Sequence, residues 1–104
     1  MLDNSLYEKN MGVKKMKTKL TFMPYAQATV YHDERGITLR SYRTDVANID
    51  NDHWLTVTGL YSMTTRKHIG AFLKEYTDHN FAMAKWLVEN RMKINLLTGE
   101  VVEL

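Results

Sequence analysis

The densest chemistry in the sequence lies in eight consecutive residues, Tyr61-Ser62-Met63-Thr64-Thr65-Arg66-Lys67-His68, two positions after Gly59. The hydroxyls of Ser62, Thr64 and Thr65, two cations and an imidazole fall there within about two helical turns, after the phenol of Tyr61. Ser62 and Thr64 are both good N-cap types. The free backbone N–H groups of a helix start, joined to Arg66 and Lys67, would make an anion-binding arrangement. A helix N-terminus already carries about half a positive charge, so each added cation costs roughly a few tenths of a kcal/mol unless an anion offsets it. Two readings are open. Tyr61, Ser62, Thr64, Thr65, Arg66, Lys67 and His68 form a grip on a partner's phosphate or carboxylate, or the segment is a threonine-rich cap followed by solvated charges.

A second basic feature precedes it. Residues 1–20 hold Lys9, Lys14, Lys15, Lys17 and Lys19 against Asp3 and Glu8, a segment charge of +3. Such an arm can draw a protein to nucleic acid by counterion release, or serve only as a solubilising tail. The remaining residues carry nine Lys or Arg against ten Asp or Glu. That near-neutral body is neither an acidic DNA mimic nor a strongly basic nucleic-acid binder.

Catalytic and metal-binding patterns are sparse. His32, His53, His68 and His79 never fall at the i, i+4 spacing of a helical zinc pair, so no metal site is expected. Ser5, Ser41 and Ser62 lack a nucleophile elbow, and no glycine-rich phosphate loop or dinucleotide fingerprint occurs, so no cofactor is expected. Asp33, Glu34, Asp45, Asp50 and Asp52 sit where turns are expected and read as solvated turn formers. Only if they converge around a metal does a hydrolase or nuclease remain, so the protein is expected not to be an enzyme.

The elements that must position these residues follow from periodicity. The segments at 28–32 and 37–42 are rich in β-branched and aromatic residues around the turn Asp33-Glu34-Arg35-Gly36. Residues 45–49 and 54–60 add two more strands across Asp50-Asn51-Asp52, so four strands in an antiparallel meander are predicted. Pro24, the only proline, argues for an extended edge segment over 21–28. Thr65, Ile69, Phe72, Leu73 and Tyr76 recur at helical spacing, which predicts an amphipathic helix lying on the sheet. Asn80 caps a second helix over 81–91, in which Ala84, Leu87 and Val88 form a stripe that Met83 and Trp86 widen. Met83 and Trp86 are therefore either core or a homodimer contact. Residues 94–104 read as a closing hairpin about Leu97-Thr98-Gly99-Glu100.

The fold class is thus α+β: a small antiparallel meander covered by one or two helices, with a flexible basic arm at 1–20 and a single domain at 21–104. The 104 residues leave room for one core, and 44% hydrophobic and 25% charged residues lie within the globular range. Without cysteine, disulfides and thiolate chemistry are excluded, which fits a reducing cytoplasm. No apolar run approaches the roughly 20 residues of a membrane span, so no membrane partner is expected.

Two patterns carry a resemblance. Ser41-Tyr42-Arg43-Thr44-Asp45-Val46-Ala47 is followed by Gly59-Leu60-Tyr61-Ser62-Met63-Thr64-Thr65-Arg66-Lys67-His68-Ile69. Together they resemble an uncharacterised family of small phage and plasmid proteins of Gram-positive bacteria. The resemblance implies an α+β accessory protein of a mobile element, cytoplasmic in its bacterial host. Proteins of that company often block host machinery, so an anti-CRISPR-like inhibitor that binds a host protein or ribonucleoprotein complex is the expected function. The alternative is a nucleic-acid-binding accessory protein using the lysine arm and the 62–68 junction.

Overall fold

Among the described residues, seven strands lie in chain order in one antiparallel sheet. They are β1 (Met16–Thr18), β2 (Ala28–Asp33), β3 (Gly36–Ser41), β4 (Thr44–Ile49), β5 (Trp54–Val57), β6 (Met92–Asn95) and β7 (Val101–Glu103). The helices α1 (Met63–Tyr76) and α2 (Phe81–Asn90) connect β5 to β6. The structure is a computed structural model, and it describes residues 15–104. Among them, no helix is long and apolar enough to cross a membrane.

Strand alternation decides which face the helices cover. Val30 pairs with Leu39, Leu39 with Ala47, Ile49 with Leu55 and Leu55 with Ile94, so these side chains share one face. Ile69, Phe72 and Leu73 of α1 and Ala84 and Leu87 of α2 close over them, all fully buried. Each large side chain so buried contributes roughly 1.5–3 kcal/mol. The meander, the helix pair and the closing hairpin at the chain end agree with expectation, and that hairpin joins the main sheet through β5 and β6.

Three expectations need correction. Residues 15–20 are not the end of a loose arm: β1 pairs with β2, and Leu20 has no exposed surface. One fully buried leucine outweighs the disorder signal of the lysines around it. The rest of the arm, including Lys9 and Lys14, lies outside the described residues. Residues 21–28 do not run as an extended edge. The Met23 N–H donates to Leu20 O (3.2 Å) and the Ala26 N–H to Met23 O (3.1 Å), so the chain turns around Pro24, which has no N–H to continue a ladder. Finally, β5 stops at Val57, where the Thr58 hydroxyl turns back to Asp45 O (3.1 Å).

Gly36 closes the β2–β3 hairpin with φ +98°, and a Cβ there would collide with the Ile49 carbonyl oxygen. Gly36→Ala is expected to lower the unfolding free energy by at least about 1–2 kcal/mol, read as a lower urea midpoint at unchanged slope. Gly99→Ala serves as the control, since its φ of +78° brings the same strain with nothing within 4 Å.

Candidate functional site

The start of α1 is built by its neighbours. Ser62 is the N-cap, its Oγ accepting from the Thr65 N–H (3.2 Å). Before it, Tyr61 takes φ +55° and folds back over Gly59, where an added Cβ would lie 3.1 Å from the Tyr61 ring. The Tyr61 hydroxyl meets Thr58 Oγ1 at 2.9 Å, which fixes the ring while leaving it half exposed.

Thr65 and His68 do not belong to a contact surface. They are 4% and 1% exposed, on the same buried stripe as Ile69, Phe72 and Leu73. Their polar atoms converge on Ser41 at the end of β3: Ser41 Oγ lies 2.8 Å from both Thr65 Oγ1 and His68 Nδ1. With Ser62 Oγ donating to Thr65 Oγ1 (3.3 Å), one run of hydroxyl donors satisfies the network, ending on an accepting Nδ1 of neutral His68. The Ser41–His68 pair has nucleophile–base spacing, yet Ser41 is only 2% exposed and the Tyr42 ring lies 5.8 Å from the imidazole. In this closed arrangement the pair latches α1 to β3.

Burial pushes the His68 imidazole below its ordinary pKa. Above the unfolded value of about 6.5 both states are neutral and His68 adds no slope. Below it the unfolded chain takes the proton first, so stability falls as pH falls toward the lower folded value. The urea midpoint is therefore expected to drop between about pH 7.5 and about pH 5, and His68→Gln to shrink that drop. An unchanged pH dependence in the variant would contradict the buried neutral imidazole.

The other side of α1 carries the surface feature. Met63, Arg66, Lys67, Gly70 and Ala71 fall at helical spacing and line a groove of about 510 Å³, faced by Met23 and Phe81. Met63 is 70% exposed. The loop bearing Met23 is held to the helix by the Thr21 N–H donating to Glu75 Oε1 (2.7 Å), and Lys74 Nζ sits 4.3 Å over the Phe22 ring. Arg66 and Lys67 line this groove along the helix side. Arg66 Nε is buried and has no hydrogen-bond partner among the described residues. No acidic residue stands in the first turn of α1 to balance these cations.

The remaining predicted site residues are scattered. Ser62 and Thr64 are exposed beside Tyr61 at the helix start. Met83 is partly buried against the core, whereas Trp86 stands half exposed on α2 and lines none of the groove. Lys15, Lys17 and Lys19 are exposed, and Lys17 lies over Tyr31 on the sheet face away from α1, so it does not meet Arg66 and Lys67. The turn acids are engaged: Arg40 Nε donates to Asp45 (2.8 Å), Arg35 to Asp33 (3.2 Å), and Asp50 Oδ1 accepts from the Asp52 and Trp54 N–H groups. These bonds hold the Asp33 and Asp45 carboxyls below the usual carboxylate value. Among the described residues, no group of three His, Asp or Glu is placed to hold a metal ion.

Residues 9–88 match a family of unknown function, DUF8033. The chain belongs to that family. The DUF8033 match takes in β1 to β5, all of α1 and most of α2, and so contains the whole groove. It extends well beyond the stretch at 41–69 that carried the resemblance to mobile-element proteins. No curated protein and no solved structure matches the chain.

Proposed function

We propose that the protein is a non-enzymatic binder whose α1 groove receives an acidic, apolar-faced segment of a partner protein. The observation that carries this reading is the groove itself: an apolar floor of Met63, Gly70, Ala71 and Phe81 with Arg66 and Lys67 at its rim. An apolar pocket with a charged rim has the anatomy of a recognition site, where the floor supplies affinity and the rim selects by charge. The narrower form of the proposal is an inhibitor from a phage or plasmid that occupies a host defence complex in the bacterial cytoplasm. Its support is the resemblance in the 41–47 and 59–69 patterns.

A photo-reactive phenylalanine analogue placed at Met63 tests the groove in bacterial cells. The expected outcome is one dominant protein adduct that is absent when the analogue is moved to Glu100, an exposed position in the β6–β7 turn. Equal adducts from both positions, or none from Met63, would contradict the proposal.

A further inference from the structure

We propose that the sheet face opposite the helices is a stacking platform for single-stranded nucleic acid. Register places Lys17, Tyr31, Thr38, Asn48 and Thr56 in one row across β1 to β5, a span of about 19 Å at the usual strand spacing. Trp54 lies on the same face as Thr56, two residues away on β5. Tyr31 and Trp54 are partly buried, so their rings are held in place while remaining accessible. They stand three strands apart and two residues along the strand, about 16 Å. Aromatic rings on an open antiparallel sheet can stack unpaired bases, because every base has a π face, and this spacing suits bases of one strand that are not adjacent.

The cations are placed accordingly. Lys17 Nζ and Arg40 Cζ lie 5.9 and 5.0 Å from the Tyr31 ring centre, and Lys93 Nζ lies 5.0 Å from that of Trp54. Asp33 and Asp45 are engaged by Arg35 and Arg40. Lys17 and Lys93 have no acidic partner among the described residues; each rests over its ring, and a stacking base would displace it toward the adjoining phosphate. Between the rings lie Thr38, which is buried with its hydroxyl accepting from the Asn48 amide, and the half-buried Asn48 and Thr56, instead of the large apolar side chains that anchor a protein interface. A flat strand face also offers nothing shaped to enter a duplex groove. Unpaired bases, carrying both π faces and hydrogen-bonding edges, fit this combination best.

The test uses the full chain. Trp86→Phe leaves Trp54 as the sole tryptophan, and its emission is followed while oligo(dT) and oligo(U) of roughly 12 nucleotides are added at low salt. Saturable quenching is expected, weakening as salt rises with a log–log slope of about −0.7 for each phosphate contacted. Thr56→Glu, which puts a carboxylate between the two aromatic stations, should weaken binding about tenfold or more without lowering the melting temperature. Should that variant unfold, Lys93→Gln gives the same reading with a smaller loss, about threefold, by anisotropy of a labelled oligonucleotide. The proposal is overturned if Trp54 is not quenched, if a duplex of equal length binds as tightly, or if binding depends on residues 1–14 and is indifferent to changes on the sheet face.

Discussion

Truncating Phe72 to alanine will remove roughly 3–5 kcal/mol of unfolding free energy, a large share of the roughly 5–15 kcal/mol that a domain of this size holds. Phe72 has no exposed surface and stands at the middle of the buried stripe of α1, its ring centre 5.1 Å from that of Tyr76. Tyr76 in turn reaches His32 on β2, 3.5 Å from hydroxyl to Nε2, so the cavity opens where α1 rests on the β1–β2 side of the sheet. Little can collapse into it, because the neighbouring Leu39, Ile69 and Leu73 are themselves fully packed. Urea unfolding reads the loss as a lower midpoint at constant slope. Met63→Ala, on the exposed side of the same helix, should stay within about 0.5 kcal/mol of wild type. A Phe72→Ala loss below about 1 kcal/mol would mean that α1 is not packed as described.

The contrast between Phe72 and Met63 also shows what the sequence can reveal. The caps Ser62 and Asn80, the apolar stripe of α1 and the polar turns around Gly36 and Asp50 are local signals, and each led to the element found. Leu20 was invisible because it is a lone apolar residue beside lysines, and its burial depends on a strand pairing formed with residues 30–32. The two-residue turn at Tyr42 and Arg43, with Tyr42 at φ +54°, carries none of the Asn or Gly that usually announces such a hairpin, so the strand patterns on either side of it were the signal for that pairing.

At the candidate site the sequence was half legible. Thr65 stands in both the expected contact and the apolar stripe, and His68 only in the contact because it neighbours Lys67 in the chain, but in a helix the relevant neighbours are three and four residues away. His68 falls three residues after Thr65 and four before Phe72, and that spacing was the available signal that it is buried. The groove left no hydropathy signal, since Gly70 and Ala71 are small and the opening exists only where α1 meets Phe81 at the start of α2. The row from Lys17 to Thr56 needed the register of five strands, which the turns of residues 21–26 made unreadable beforehand.

Exchanging the charge at the groove rim bears most directly on the proposed function. The partner recovered through the Met63 adduct is titrated against the wild-type chain and against Lys67→Glu/Lys74→Glu. Lys67 lines the groove, and Lys74 is exposed on the same helix beside Phe22 of the loop that faces it; circular dichroism and the urea midpoint verify that the double variant keeps the fold. Against an acidic segment, two reversed charges replace attraction with like-charge repulsion, a change of about 2 kcal/mol or more at low salt. Affinity is therefore predicted to fall at least about thirtyfold, with the difference shrinking as salt rises. A partner that binds the folded double variant within about twofold of wild type would contradict the groove as the contact.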